Sequence, residues 1–185
     1  MYALKALNEC EVIIGYKTYI ELVGSIVQGK EIISSGMTKE MERARLSIEH
    51  ACKGKCVCLI SSGDPGVYGM AGPVLQLLKD DAVHSIDIEI IPAVSAASAC
   101  ASLLGAPLMH DFAVISLSDL LTDLKIIEKR IRLAADGDYI IVLYNPKSSK
   151  RIKPLTKAWD ILMQYKSPHT PVGIVRNAYR ESEVV

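Results

Sequence analysis

Three segments of the sequence bring together residue types that bind small molecules, and each comes directly after an apolar run. The first, residues 61–69, reads Ser-Ser-Gly-Asp-Pro-Gly-Val-Tyr-Gly. Its three glycines let the backbone approach a ligand closely, and the carboxylate of Asp64 accepts hydrogen bonds from ammonium or hydroxyl groups. These features favour a binding loop over the alternative, a simple turn that Asp64 caps.

The other two segments are weaker signals. In residues 92–97, Ser95 stands where a helix N-cap is expected, and an ordinary cap is the simpler interpretation. Residues 145–153 carry four cations, which suit carboxylates or phosphates, although a solvated loop is the interpretation we favour on charge alone. The four cations are Lys147, Lys150, Arg151 and Lys153.

Two further groups of residues could carry chemistry. His110 and Asp111 are neighbours, and a histidine beside an acid can move protons near neutral pH, although a lone histidine is more often a structural hydrogen-bonding group. Ser116 and Asp119 lie at the end of a predicted strand and could line a cleft, but Asp119 could equally cap a helix.

A cluster of His50, Cys52, Cys56 and Cys58 raises the question of a metal site. Cys56 and Cys58 fall on an apolar run that is typical of a buried strand, whereas His50 and Cys52 fall at a predicted helix end. The spacing is not that of a zinc finger. We therefore predict buried structural thiols and no metal.

Short apolar runs and helical periodicities alternate along the chain and must position these residues. The predicted strands are residues 11–15, 30–34, 56–60, 86–91, 112–117, 139–144 and 172–175. The predicted helices are residues 2–8, 18–27, 39–53 with Thr38 as N-cap, 70–78, 96–104, 122–135 and 155–165. Strands separated by helices indicate an α/β fold with parallel sheets. The break at residues 105–107 predicts two domains, residues 1–107 and 108–185.

Composition limits the possible classes of protein. The chain has 185 residues, of which 50% are hydrophobic, so it can bury a core and is not a disordered chain. Equal numbers of basic and acidic residues, 21 each, argue against a nucleic-acid partner, and five cysteines argue against a closed disulfide framework. Without a long apolar run or a signal-peptide pattern, we expect a cytoplasmic protein with no membrane partner.

Three widespread motifs are absent from the sequence. It has no Gly-x-x-x-x-Gly-Lys-Ser/Thr phosphate loop, no Gly-x-Gly-x-x-Gly fingerprint and no Gly-x-Ser-x-Gly elbow. These absences argue against a P-loop kinase, a classical dinucleotide dehydrogenase and an α/β hydrolase.

The ligand-binding segments resemble those of the tetrapyrrole methyltransferases, which transfer methyl groups from S-adenosylmethionine to corrin and porphyrin precursors. Residues 61–69 resemble the Gly-Asp-Pro loop of that family, and residues 92–96 resemble its Pro-Gly-Val-Thr/Ser-Ala turn. Residues 142–145 and 175–178 are similar to two later cofactor segments. The likeness runs along nearly the whole chain.

Within the family, several segments resemble the subgroup that methylates C17 of precorrin-3B, or of its cobalt form, with contraction of the ring. They are residues 12–19, 35–38, 68–72, 104–112, 115–121 and 144–148. The resemblance implies two α/β domains, with a mostly parallel sheet in the first and a mixed sheet in the second, and with the cofactor in the cleft between them.

The resemblance also implies roles for individual residues. The expected contacts of S-adenosylmethionine, and of its product S-adenosylhomocysteine, are Ser62, Gly63, Asp64, Val67, Ser95, Ala96, Asn145 and Ala178. The expected contacts of the carboxylate-rich corrinoid substrate are Tyr16, Lys17, Ser116, Lys147, Lys150 and Arg151. Ring contraction requires proton movement, so His110 and Asp111 are the expected acid–base pair. A homodimer is also expected.

The ends of the chain differ from the family pattern. Family members begin with a strand and a Gly-x-Gly-Pro-Gly loop, whereas Met1 here falls in the following helix, and residues 181–185 stop within a family segment that continues. We therefore expect a fragment. Two alternatives stay open, namely a methyltransferase of the same fold with another substrate, and an inactive binding or scaffold fragment.

Overall fold

The computed structural model describes residues 2–80, 86–149 and 151–185. Its internal contacts divide the chain into two units, Met1–Ser95 and Ala96–Val185. Each unit combines a parallel β-sheet with helices, so the α/β prediction is confirmed.

The first unit contains a three-stranded parallel sheet. Its elements are α1 (Tyr2–Glu9), β1 (Val12–Tyr16), α2 (Lys17–Leu22), β2 (Glu31–Ser35), α3 (Glu40–Cys52), β3 (Val57–Leu59) and α4 (Ala71–Asp80). The strand order is β2-β1-β3, so β1 is central. Val12, Ile13 and Ile14 are at most 1% exposed, as a parallel strand covered on both faces requires.

The second unit contains a two-stranded parallel sheet. Its elements are α5 (Ala96–Leu103), a short 3-10 helix (Pro107–Met109), β4 (Phe112–Ser116), α6 (Leu124–Asp136), β5 (Ile140–Tyr144) and α7 (Lys153–Tyr165). The core of this unit joins one face of the sheet to α6 and α7, through residues that include Ile115, Ile127, Ile131 and Ile161. The carboxylate of Asp123 caps α6 by accepting the N–H of Lys125 at 2.8 Å.

Two predicted strands are wrong. Residues 86–91 and 172–175 are irregular, and their apolar side chains are largely exposed, with Ile174 at 77% and Val172 at 69%. An apolar run becomes a strand only where a neighbouring strand supplies hydrogen-bond partners. In the described part of the chain neither segment is paired in a sheet.

The second unit also departs from the predicted mixed sheet. Its two strands, β4 and β5, are parallel in the described residues. Antiparallel pairing occurs there as an isolated bridge between Arg176 and Val184. Residues 172–175, which the sequence predicts as a further strand of this unit, do not form one.

The division between the units falls before α5, whereas the sequence predicts it at residue 107. Partners later in the chain hold α5 in the second unit. The N–H of Ala97 donates to the hydroxyl of Tyr144 at 2.9 Å, and the hydroxyls of Ser102 and Tyr179 are 2.7 Å apart. Gly and Pro residues end α5, but they do not separate it from the rest of the second unit.

Local predictions at Thr38 and at the cysteines need correction. Thr38 has a φ of +65° and its hydroxyl donates to the carbonyl of Met37, so it does not cap α3. Cys52 and Cys56 are exposed rather than buried; Cys52 is the last residue of α3, and Cys56 lies just before β3. Among the residues described, no three His, Cys, Asp or Glu side chains form a group that could hold a metal ion.

The helices are short. Within the described ranges, none has the length and apolar character needed to cross a bilayer.

Candidate functional site

The carboxyl ends of β1, β2 and β3 meet at one edge of the first sheet because the strands are parallel. Ligands of open α/β sheets bind at this edge. A cavity of about 180 Å³ lies there. Its polar lining includes Tyr16, Ser61 and Ser62, so Tyr16, a predicted substrate contact, and Ser62, a predicted cofactor contact, come together.

Asp64 ties the loop of residues 61–69 to a second predicted cofactor segment. One carboxylate oxygen accepts the N–H of Gly66 at 2.8 Å, and the other accepts the N–H of Ala93 at 3.0 Å. Ala93 belongs to the segment that leads to Ser95. A carboxylate has about four acceptor positions, so these two bonds fix Asp64 and leave capacity for a ligand donor.

The rest of the loop is compact. Gly63 has a φ of +75°, a conformation that other residues rarely adopt, and the N–H of Val67 donates to the carbonyl of Asp64 at 3.2 Å. The hydroxyl of Ser61 accepts the N–H of Met70 at 3.0 Å. The loop is therefore fixed at both ends before any ligand binds.

Gly69 closes the loop by packing directly against Pro65. A Cβ atom on Gly69 would lie 2.7 Å from both the Cα and the carbonyl oxygen of Pro65. That carbonyl accepts the N–H of Ala71, the first residue of α4, at 3.1 Å. The third glycine of the motif is thus required by a close backbone approach within the loop.

Lys17 is exposed and begins α2 directly after Tyr16. The rings of Tyr16 and Tyr19 meet edge to face, with centroids 5.2 Å apart, and both line the cavity. Lys17 therefore stands at the predicted edge of the sheet, next to a wall made by two aromatic rings.

Arg43 also lines this cavity and was missed by the sequence analysis. Its side chain is 5% exposed, and its guanidinium donates to the hydroxyl of Ser35 at 2.9 Å and to the carbonyl of Gly36 at 2.8 Å. The signal in the sequence is an arginine on the inner face of α3, beside Ala44 and Ser47, where an apolar residue would be usual.

In the second unit, the carboxyl ends of β4 and β5 bring Ser116 and Asn145 together. The hydroxyl of Ser116 accepts the side-chain amide of Asn145 at 3.1 Å and the N–H of Ser118 at 3.2 Å. Asn145 has a φ of +50°. These two predicted contacts share one small hydrogen-bonded group at the ligand-binding edge of the second sheet.

Arg151 holds the group of Ser116 and Asn145 in place through hydrogen bonds to the backbone. Its guanidinium donates to the carbonyl of Leu117 at 2.6 Å and to that of Asn145 at 2.8 Å, and it lies 3.7 Å from the carboxylate of Asp119. The side chain is 18% exposed. Arg151, a predicted substrate anchor, therefore chiefly links the ends of β4 and β5 through hydrogen bonds.

The remaining predicted contacts of the second unit are dispersed. Ala96 begins α5, whose second residue is held by the hydroxyl of Tyr144. Ala178 is half-buried, between Asn177 and Tyr179, which both have positive φ. Lys147 is exposed, and Lys150 lies outside the described residues.

His110 and Asp111 lie at the opposite edge of the second sheet. The carbonyl of Asp111 accepts the N–H of Ile140 at 3.2 Å, so both residues stand at the amino ends of β4 and β5. A five-residue strand spans roughly 15 Å and separates them from Ser116. The structure does not bring the predicted acid–base pair together with the other predicted contacts of this unit.

Ion pairs also mark amino ends of strands. The ammonium of Lys55 lies 2.6 Å from the carboxylate of Glu31, the first residue of β2, and this hydrogen bond lowers the pKa of Glu31. The ammonium of Lys166 likewise donates to Asp138, just before β5, and lowers the pKa of its carboxyl. Both pairs lie at the edges that face away from the binding loops, and their carboxylates are exposed.

Comparison with known proteins identifies the family of this chain. The model of the Tetrapyrrole (Corrin/Porphyrin) Methylases matches residues 1–185. The chain belongs to this family. The two loops that Asp64 links, and the group around Ser116 and Asn145, are thus segments of a tetrapyrrole methylase.

Several relatives are similar over almost the whole chain. A cobalt-factor III methyltransferase of Priestia megaterium is 50% identical over 99% of this chain and 34% of its own length. A probable cobalt-factor III C(17)-methyltransferase of Salmonella typhimurium is 49% identical over 99% of this chain and 76% of its own length. The chain thus spans about a third of the first relative and three quarters of the second.

A solved structure agrees with the fold. The crystal structure of the methyltransferase CobJ has a TM-score of 0.90 and 33% identity, and the match covers 99% of this chain and 77% of that chain. The tetrapyrrole methylase fold of this chain is therefore shown by sequence and by structure.

Proposed function

We propose that this chain acts in a methyltransferase of cobalamin biosynthesis that methylates C17 of cobalt-factor III with ring contraction. The observation that carries the proposal is the identity of 49–50%, over 99% of the chain, to two relatives named for cobalt-factor III. The sequence alone does not distinguish a substrate with cobalt from one without it. The names of these relatives favour the cobalt-bearing form.

We propose S-adenosylmethionine as the methyl donor, as the family implies. When bound, this cofactor supplies a methyl group that is already activated on a sulfonium, so the protein needs to position the reactants rather than supply a nucleophile. The donor and acceptor groups fit it. Asp64 is an anchored acceptor for hydroxyl or ammonium groups, and Gly63 supplies the positive φ that the turn before Asp64 requires.

In the second unit, Asn145 and Ser116 form a fixed polar group with amide and hydroxyl functions, suited to a ligand that carries nitrogen and hydroxyl groups. Arg151 keeps this group in position through its bonds to Leu117 and Asn145. Ser62, Val67, Ser95, Ala96 and Ala178 are proposed as further contacts of the cofactor on the family resemblance alone.

For the substrate, exposed Lys17 and Lys147 are the proposed partners of its carboxylates, since ammonium groups in water can pair with them at little cost. Tyr16 is a proposed contact because it lines the cavity next to Ser62. We do not assign proton transfer to His110 and Asp111, because they stand at the amino ends of their strands. A homodimer is also proposed, on the resemblance alone, together with the cytoplasmic location expected from the sequence.

The first experiment is a calorimetric titration of the chain with S-adenosylhomocysteine. We expect micromolar binding, weakened roughly tenfold or more by Asp64→Asn, because an amide NH₂ beside the N–H of Ala93 replaces an acceptor by a donor. Asp160→Asn, on an exposed position of α7, is the matched control and should bind like the wild type. A folded wild-type chain that does not bind the ligand would contradict the proposal.

A further inference from the structure

The cavity at the edge of the first sheet contains a buried positive charge that the proposed function does not use. Arg43 is 5% exposed, and burial of a guanidinium is costly unless hydrogen bonds and an opposite charge compensate it. Two of its hydrogen bonds go to the neutral oxygens of Ser35 and Gly36. They fix the guanidinium in place without neutralising it.

The carboxylate that pairs with Arg43 is a loose partner. Glu40 Oε1 lies 3.4 Å from the guanidinium, and its side chain is 51% exposed, whereas a strong charge-assisted N–H···O bond is about 2.7–2.9 Å long. Glu40 and Arg43 are neighbours on one face of α3, and both line the cavity. The negative charge can therefore move into water while the positive charge stays fixed.

The size and lining of the cavity suit a small anionic group. A volume of about 180 Å³ is below the roughly 300 Å³ at which pockets take whole ligands, but it is ample for a carboxylate on a short chain. Tyr16, Tyr19 and Ser61 supply further polar groups. The cavity also adjoins the start of α3, which has no side-chain cap and carries a partial positive charge.

We propose that this cavity is a carboxylate-binding site, in which a ligand carboxylate replaces Glu40 as the partner of Arg43. Two ligands could supply the carboxylate: the macrocycle, through one of its side chains, or the cofactor, through its amino-acid group. The choice of these two ligands rests on the proposed function. Both sources share the same chemistry. Glu40 then acts as a placeholder that neutralises the site until the ligand arrives.

The two glutamates in the first turn of α3 supply a matched test. Glu40 faces Arg43, whereas Glu42 pairs with Lys39 at 2.7 Å and is outside the cavity lining. Changing either one to glutamine removes the same charge from the same helix end. Titrations with propionate, followed by the amide NMR signals of Ser35 and Gly36, test the site whether or not the protein is a methyltransferase.

We expect Glu40→Gln to tighten propionate binding roughly two- to five-fold, because it removes the competing anion. Glu42→Gln should leave the affinity within about twofold, and Arg43→Gln should weaken it roughly tenfold, with partial recovery in Arg43→Lys. Because Arg43→Gln also risks unfolding the loop after β2, the comparison of the two glutamates decides the outcome. Equal effects of Glu40→Gln and Glu42→Gln, or no response to propionate, would overturn the proposal.

The source of the carboxylate can be determined with three ligands. If the cofactor supplies it, the Glu40→Gln effect appears with S-adenosylhomocysteine and disappears with 5′-methylthioadenosine, which lacks the carboxylate. If the macrocycle supplies it, the effect appears in the affinity for cobalt-factor III alone. A chain that responds to propionate but binds none of these ligands would refute the proposed function and leave the carboxylate site standing.

Discussion

Substitution of Gly69 by alanine tests whether the binding loop depends on the packing of Gly69 against Pro65. A methyl group at this position would lie 2.7 Å from two backbone atoms of Pro65, and ordinary contact begins at 3.4 Å. In Gly69→Ala the loop must therefore yield by about 0.7 Å, the difference between those distances. The neighbours are backbone atoms, so no flexible side chain can absorb the change.

The expected cost has two parts. Overpacking of this kind costs about 1–3 kcal/mol, and displacement of Pro65 strains the 3.1 Å hydrogen bond from Ala71, which is worth about 1 kcal/mol. The two parts add to a predicted loss of about 2–4 kcal/mol in the free energy of unfolding. Gly72→Ala is the matched control, because its Cβ meets nothing within 4 Å and alanine in a helix is favoured over glycine by up to about 1 kcal/mol.

The assay is urea unfolding of the wild type and both variants, with the midpoint compared at constant slope. Gly69→Ala should lower the midpoint and weaken S-adenosylhomocysteine binding, since it moves the loop that Asp64 anchors. Gly72→Ala should raise the midpoint slightly and leave the affinity unchanged. Equal stability of Gly69→Ala and the wild type would refute the packing argument.

Three other predictions concern the rest of the chain. Burial, the largest cause, raises the pKa of Cys58 to about 12, so iodoacetamide at pH 8 should label exposed Cys52 and spare Cys58 in the folded protein, as mass spectrometry of the peptides would show. Arg151→Ala should lower the free energy of unfolding in urea by about 2 kcal/mol, since two strand-end carbonyls lose a charged donor. A loss smaller than about 0.5 kcal/mol would contradict the role of Arg151 in linking the strand ends. Lys166 lowers the pKa of Asp138, so the pair adds stability above the ordinary pKa of the carboxyl and loses it as the pH falls through the lowered value. The difference in melting temperature between the wild type and Asp138→Asn should shrink over that range.

A strand could be predicted from the sequence where an apolar run also has a neighbouring strand to pair with. β1 has an apolar run and two neighbouring strands, and the sequence predicts it almost to the residue. Residues 86–91 carry four isoleucines, with Asp87 and Glu89 between them, but have no strand beside them in the described part of the chain, and pattern alone cannot reveal a missing partner. Whether such a run becomes a strand depends on its neighbours, which are distant in sequence.

The candidate site divides in the same way. Asp64 stood out because glycines and proline surround it, and the structure shows it fixed by two backbone N–H groups. His110 and Asp111 were chosen by residue type, although the predicted strand 112–117 already places both before its amino end, away from the ligand-binding edge. The sequence did not identify Arg43 as a site residue, because an arginine on a helix is usually exposed. Only the packing of α3 makes it buried.

Methyl transfer to a cobalt corrinoid is the activity on which the proposed function depends, and mass spectrometry of cobalt-factor III after incubation with the chain and S-adenosylmethionine measures it directly. We predict that the corrinoid gains one methyl group, that Asp64→Asn strongly reduces this gain, and that Asp160→Asn behaves like the wild type. A folded chain that binds S-adenosylhomocysteine but returns cobalt-factor III unchanged would contradict the proposed function.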